Sequence, residues 1–141
     1  MQQDIQVKLK TTIVDNDITE NNEVNELGKL YIKEHGDMII YEERLDNEEQ
    51  LIVKNIVTIQ PDKVQIRRSG AVKMNQLFQE GKRSESVFHH PHGHMHMETF
   101  TKSIAYHPLD EQKQGKLTIN YTVKLNGQEA REHFLEIILE K

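Results

Sequence analysis

The protein has 141 residues, enough for one domain with a single hydrophobic core. It contains no cysteine, which excludes disulfides, thiolate metal sites and a cysteine nucleophile, and fits a reducing, cytoplasmic compartment. The net charge is −5 and neither sign forms a long block, so the charge pattern predicts no nucleic-acid partner.

The first 14 residues never run apolar for more than a residue or two, so we predict neither a signal peptide nor a membrane partner. Alternation of apolar and polar residues begins at residues 4–14 and indicates a half-buried β-strand. The acidic, Asn-rich stretch at 15–25 predicts a loop. Turn-like residues then separate nine further predicted strands: 27–34, 37–44, 51–60, 63–69, 71–78, 82–89, 94–106, 116–125 and 129–139.

The clearest strand is KLTINYTVKL at 116–125, where Leu117, Ile119, Tyr121 and Val123 share one face. The segment VKMNQLF at 72–78 could instead be a short helix. About ten consecutive strands predict an all-β chain, with residues 1–141 forming one closed or nearly closed antiparallel up-and-down β-barrel of 8–10 strands. Because only 35% of the residues are apolar, we expect a partly polar interior, and barrels of this size can hold one small ligand.

Several short motifs make the chain resemble the YwiB-like family of small bacterial proteins. They are Arg68-Ser69-Gly70, Phe78 with Gly81, Pro91-His92-Gly93 followed by Thr99 or Thr101, and the closing Asn126-Gly127 hairpin. The resemblance covers most of the chain. It implies a fold similar to the calycins, the lipocalin and fatty-acid-binding-protein group of barrels, and it brings no established activity.

The segment HHPHGHMHM at 89–97 departs from that family pattern, which has aromatic or small polar residues around the Pro-x-Gly turn. Alternate residues of a strand share a face about 6.5–7 Å apart, so His94 and His96 could bind one Zn²⁺ or Ni²⁺ ion. The same face carries Glu98 and Lys102, whereas the opposite face, from Met95 to Ala105, carries no charge. We therefore expect the two histidines to face solvent, and a third ligand from Glu98, His92 or His90 stays open.

The last hairpin suggests a binding site. A three-residue loop at 126–128, with Gly127 in a bulge, predicts that Val123 faces Arg131, Tyr121 faces His133, Ile119 faces Leu135 and Leu117 faces Ile137, all inward. A two-residue turn would instead point Glu132 and Glu136 inward without partners, so we prefer the bulged hairpin.

In that register Arg131, His133 and Tyr121 could bind a carboxylate or phosphate head group inside the barrel, and Arg68 could be a second inward charge. The arrangement resembles the Arg-x-Tyr site of fatty-acid-binding proteins, with His133 where a tyrosine is expected. The alternative is that these are exposed cations at the barrel rim, paired with nearby glutamates.

No nucleophile elbow, phosphate loop or zinc-protease helix occurs, so we predict no enzyme, no catalytic residues and no cofactor. The leading hypothesis is a cytoplasmic barrel that binds a small, hydrophobic or anionic ligand. The alternatives are a filled structural or protein-interaction barrel, which could dimerise through its histidine-bearing face, and a metal-binding protein.

Overall fold

A computed structural model describes residues 2–44 and 51–141, and within these ranges all regular structure is β. No helix in the described residues is long and apolar enough to cross a membrane. The number of strands found there equals the number predicted. They are β1 Gln2–Asp15, β2 Ile18–Lys33, β3 Gly36–Arg44, β4 Ile52–Ile59, β5 Val64–Gly70, β6 Met74–Phe78, β7 Arg83–His90, β8 Gly93–His107, β9 Gln114–Leu125 and β10 Arg131–Glu140.

All ten strands belong to one antiparallel sheet in the order β6-β5-β4-β3-β2-β1-β10-β9-β8-β7. The sheet curls so that its outer strands meet: Lys73 and His89 exchange two backbone hydrogen bonds of 2.9 and 2.8 Å, and Glu80 bridges to Thr101. The result is a nearly closed up-and-down barrel, as predicted. Its histidine end carries the turns after β1, β5, β7 and β9, and its terminal end carries the turns after β2, β4, β6 and β8.

Apolar side chains from every second position of the strands fill the interior, because alternate residues of a strand point to the same face. Phe78 of β6 packs edge-on against Tyr121 of β9, with ring centroids 4.8 Å apart. The filled core consists of Ile5, Val7, Leu30, Ile39, Tyr41, Val57, Ile59, Val64, Ile66, Phe78, Met97, Leu117, Ile119, Tyr121, Val123, Leu135, Ile137 and Leu139.

The loop predicted at 15–25 is wrong. A two-residue turn at Asn16 and Asp17, with Asn16 at φ 57°, leads directly into β2, which begins at Ile18. These polar residues form a strand because β1 offers a complete backbone partner from Gln2 to Asp15, and their side chains stay in solvent.

Residues 74–78 form strand β6, so the helical alternative for 72–78 is wrong. The Arg68-Ser69-Gly70 motif has a steric basis at the end of β5. Gly70 has φ +102°, and a Cβ there would lie 2.5 Å from the carbonyl oxygen of Ile52, so a side chain does not fit without movement.

The predicted register of the last hairpin is confirmed, with Val123 opposite Arg131 and Tyr121 opposite His133. In β8, a register shift between Thr101 and Ser103 reverses which side chains point inward. Ser103 and Ala105, expected inside, are exposed, whereas Ile104 and Tyr106 pack against the core.

Candidate functional site

Tyr121 and His133 form a cross-strand pair on the inner face, as the sequence predicted. Their rings stack with centroids 5.0 Å apart. Burial, and then the charge of Arg131, lower the pKa of His133 to about 4, so the imidazole is neutral at pH 7. The pair therefore contributes aromatic surface but no positive charge to the interior.

Arg131 does not point into the barrel, so its predicted inward orientation is wrong. Its side chain is 43% exposed, and its Nε lies 3.3 Å from Oδ2 of Asp15. Arg131 is the first residue of β10 and Asp15 the last of β1, at the histidine end of the barrel, where the guanidinium can leave the core and find both water and a carboxylate. This is the rim-cation arrangement that the sequence analysis left as the alternative.

Arg68 lies on the inner face of β5, where the sequence analysis placed it. Its guanidinium donates a hydrogen bond of 2.8 Å to Glu43 Oε1, and the same oxygen accepts 3.1 Å from Nδ2 of Asn55, which is only 2% exposed. Glu43 thus compensates the charge of Arg68. The Nε of Arg68 is buried and has no hydrogen-bond partner among the described residues, so one of its donors lacks an acceptor.

Arg68 and the Tyr121–His133 pair have different side-chain partners, so the four predicted ligand residues do not form one cationic site in the described structure. The side chain of Arg68 bonds to Glu43 of β3, whereas the ring of Tyr121 contacts His133 and Phe78. A buried hydrogen bond of 2.9 Å from Gln76 Nε2 to Thr99 Oγ1 adds a further polar contact to the interior. The partly polar interior was predictable from composition, whereas the pairing of its charges was not.

The histidines of the β7–β8 hairpin face one another in pairs. The rings of His89 and His94 lie 5.6 Å apart, and those of His90 and His92 lie 5.3 Å apart. His94 and His96 are both exposed on the outer face. Within the described residues no group of three or more His, Cys, Asp or Glu side chains is placed to hold a metal ion, so the proposed His94–His96 site lacks its third ligand.

The barrel wall opens between β2 and β3, and the sequence analysis missed this feature. The two strands pair from Lys33 and Gly36 up to Gly28 and Tyr41, and no further. Continuing the ladder would place Glu26 opposite Glu43, both on the inner face, and like charges at directly opposed positions are destabilising. The ladder ends just before the position where these two carboxylates would be opposed.

The separation creates a cleft of about 950 Å³, which we call the wall cleft. Residues 18–27 of β2 pair with β1 but have no partner strand on their other side among the described residues, and this open edge reaches the cleft at Glu26 and Leu27. Leu27 is 78% exposed there. The wall cleft is lined by Asp4, Ile5, Gln6, Glu26, Leu27, Gly28, Lys29, Ile40, Tyr41, Glu42, Arg44, Ile52, Glu140 and Lys141.

The opposed positions of Glu26 and Glu43 could not be predicted from the sequence, because residues 15–25 were predicted to form a loop and not the first part of β2. With β2 beginning at Ile18, period-two alternation places Glu26 on the same face as Leu30, and Glu43 on the same face as Ile39. Burial raises the pKa of Tyr41, the neighbouring residue on this face; the charge of Glu43 raises it further, Arg68 lowers it, and Glu26 raises it least.

A second cleft, of about 720 Å³, lies at the terminal end of the barrel. The hydroxyl of Tyr106 on β8 donates a hydrogen bond of 2.6 Å to Oδ2 of Asp37 on β3. Burial and this bond to a carboxylate raise the pKa of Tyr106. Since β3 and β8 are not neighbours in the sheet, the bond ties two sides of the barrel together at this end.

These features define an antiparallel β-barrel protein with a filled interior and an opening in its wall. Residues 7–137 match the family described as a domain of unknown function, DUF1934, and the chain belongs to that family. The uncharacterized beta-barrel protein YwiB of Bacillus subtilis (strain 168) is 32% identical over 136 residues, covering 96% of this chain and 92% of that protein. The crystal structure of that bacterium's ywiB protein matches with a TM-score of 0.85 at 31% identity, over 99% of this chain and 92% of the other.

These matches confirm the family resemblance on which the sequence analysis relied. The relatives are described as a β-barrel and by no activity, so the likeness to calycins and its implied ligand stay predictions.

Proposed function

We propose that this protein is an interaction barrel that binds an extended polypeptide segment at the wall cleft. The observation that carries the proposal is the edge of β2, where residues 18–27 leave one row of backbone N–H and C=O groups without a strand partner in the described structure. Such an edge is a template for another strand, and main-chain hydrogen bonds then supply affinity. The adjoining cleft offers exposed Leu27 and Ile52 to the side chains of the added strand.

The filled interior supports binding at the wall in preference to the lumen. Large aliphatic side chains and the Phe78–Tyr121 contact occupy the space that a lumen ligand would need. Both clefts described above open to solvent and are lined largely by residues of the wall and turns. A binding function without catalysis is consistent with the sequence, in which we recognise no catalytic motif. A cytoplasmic location stays a prediction.

The test uses an acetylated, amidated octapeptide of alternating Val and Thr, with alternate amides N-methylated so that only one edge can pair. We expect saturable binding by fluorescence anisotropy and slower amide exchange within residues 18–27, with no change in β9, which is paired on both sides. The matched control is the same peptide with every amide N-methylated, which has no free donors and should not bind.

Two substitutions locate the contact. Leu27→Ser should weaken binding, whereas Val87→Ser, at an exposed apolar position of β7 away from the cleft, should not. Absence of saturable binding, or equal binding of the fully methylated peptide, would overturn addition of a strand to β2.

A second candidate function, binding of a small molecule inside the barrel, is favoured by the buried Arg68 Nε, which lacks an acceptor among the described residues. Because Glu43 compensates the charge, this site suits a neutral ligand with a hydrogen-bond acceptor better than the anion expected from the sequence.

Native mass spectrometry of protein purified without a metal column tests this candidate. We expect a co-purified organic species that is lost in Arg68→Met/Glu43→Gln and retained in Arg131→Met, whose guanidinium is at the rim. An unmodified mass for the wild-type protein would count against this second function and leave the first untouched.

A further inference from the structure

We infer that the segment bound at the wall cleft is an extended strand with Lys or Arg on one face and apolar residues on the other. This inference rests on the proposed function and adds the chemistry of the partner. Two observations support it: the charges on the open edge of β2, and the difference between the inner and outer sides of the wall cleft.

The open edge of β2 is acidic. Between Ile18 and Leu27 it carries Glu20, Glu23 and Glu26 and no basic residue. Glu23 is compensated, since its Oε1 lies 3.4 Å from Nζ of Lys8. Glu20 and Glu26 have no ion-pair partner among the described residues, so a bound strand with basic side chains would supply the missing countercharges.

The inner and outer sides of the cleft differ in polarity. Glu26 lines the inner side, and Glu43, which pairs with Arg68, lies on the same face of β3. On the outer side Leu27, Ile40 and Ile52 provide apolar surface between charged residues of both signs, of which Lys29 and Asp4 form an ion pair. A strand presents alternate residues to opposite faces, so one that pairs with β2 would direct one set towards the carboxylates and the other towards the apolar residues. An alternating basic and apolar segment satisfies both.

A second copy of this chain fits the edge poorly. Antiparallel self-pairing of β2 would bring Glu20, Glu23 and Glu26 of both copies to one seam with no basic residue from either edge segment. A protein partner with the opposite charge avoids this repulsion. The predicted homodimer through the histidine-bearing face would use a different surface.

The experiment compares three octapeptides, each N-methylated at alternate amides as before, in which Val alternates with Lys, Thr or Glu. We expect the Lys peptide to bind about ten-fold tighter than the Thr peptide, as two partly desolvated ion pairs would give, and the Glu peptide to bind more weakly than both. In Glu20→Gln, which leaves the opposed Glu26 and Glu43 in place, the advantage of the Lys peptide should fall to about three-fold while the affinity of the Thr peptide stays unchanged.

The control for overall charge is Glu129→Gln, which removes the same charge at an exposed position outside the cleft and should keep the ten-fold preference. Equal affinities for the Lys and Thr peptides, with β2 protected from exchange by both, would overturn the charge inference and leave polypeptide binding intact. Failure of all three peptides to bind would overturn both. A dimer by light scattering with residues 18–27 protected would assign the edge to a second copy and overturn the basic partner.

Discussion

The hairpins β9–β10 and β2–β3 differ in how far their strands stay paired. The first pairs at ten positions, the second at six. Along β9–β10 the buried inner residues are mainly Leu, Ile, Val and Tyr, so every added pair buries apolar surface. Along β2–β3 the inner pairs Leu30–Ile39 and Gly28–Tyr41 are followed by two glutamates. The β2–β3 ladder thus ends before two inward carboxylates would be opposed, whereas β1 and β2 stay paired even along exposed polar residues.

The largest expected difference between the two hairpins is in core stability. Ile119 of β9 is fully buried, so Ile119→Ala should lower the free energy of unfolding by about 2–5 kcal/mol through lost burial and a residual cavity. Leu27→Ala on the open edge should change it by less than about 0.5 kcal/mol, because that side chain is already in water. Urea unfolding followed by circular dichroism measures both. Equal losses would mean that Leu27 is buried in solution.

Breaking the inner ion pair should have the next largest effect. Arg68→Met leaves Glu43 poorly solvated without its cation, and we expect a loss of about 2–3 kcal/mol. Adding Glu43→Gln should recover part of that loss, because the unpaired charge is then gone. Arg131→Met, which breaks the exposed pair with Asp15, should cost less than about 1 kcal/mol and serves as the control. Equal losses in the two single variants would contradict the difference in burial.

The closed hairpin should also depend on pH through His133. Its pKa is about 4 in the folded protein and about 6.5 when exposed, so the unfolded chain binds the extra proton first as the pH falls. The stabilisation is complete above about pH 6.5 and is lost between there and about pH 4. Allowing for partial solvent exposure, we expect a contribution of about 1–2 kcal/mol.

Urea unfolding at pH 7 and pH 4.5 measures this contribution against the background titration of the carboxylates. His133→Phe keeps an aromatic ring on Tyr121 and should reduce the pH dependence, whereas His35→Gln, in the exposed turn after β2, should leave it as in the wild type. An undiminished dependence in His133→Phe would assign the effect to other groups.

The smallest expected effect concerns closure of the wall. Glu26→Thr removes one of the two opposed carboxylates, so β2 and β3 should pair beyond Gly28, with a gain of about 0.5 kcal/mol. Amide exchange at residues 42–44 should slow, and the wall cleft should lose affinity for the strand peptides. Glu129→Thr, in the exposed loop before β10, is the control. Unchanged exchange at 42–44 would show that repulsion between Glu26 and Glu43 does not open the wall.

Individual residues show why part of the candidate site was predictable. The neighbours of Tyr121 and His133 followed from one assumption about the Asn126-Gly127 turn, since period-two alternation then assigns every partner along the hairpin. The outward direction of Arg131 could not be predicted in this way, because alternation assigns a residue to a face without regard to where the strand leaves the core. Alternation also does not show that Asp15 of β1 lies close enough to pair with Arg131. The register shift in β8 places Ser103, Ile104, Ala105 and Tyr106 on the faces opposite to those predicted. No turn residue in the sequence indicates this shift.

The sequence by itself determined the strand count, the antiparallel barrel and the register of its last hairpin, because these depend on alternation and turn chemistry that act between near neighbours. Only the tertiary structure decided which charges meet. Glu26 and Glu43 are 17 positions apart and Arg68 is 25 positions from Glu43, so their encounter depends on how three strands curve around the barrel. The wall opens where Glu26 and Glu43 would be opposed, next to the acidic edge to which we assign the function.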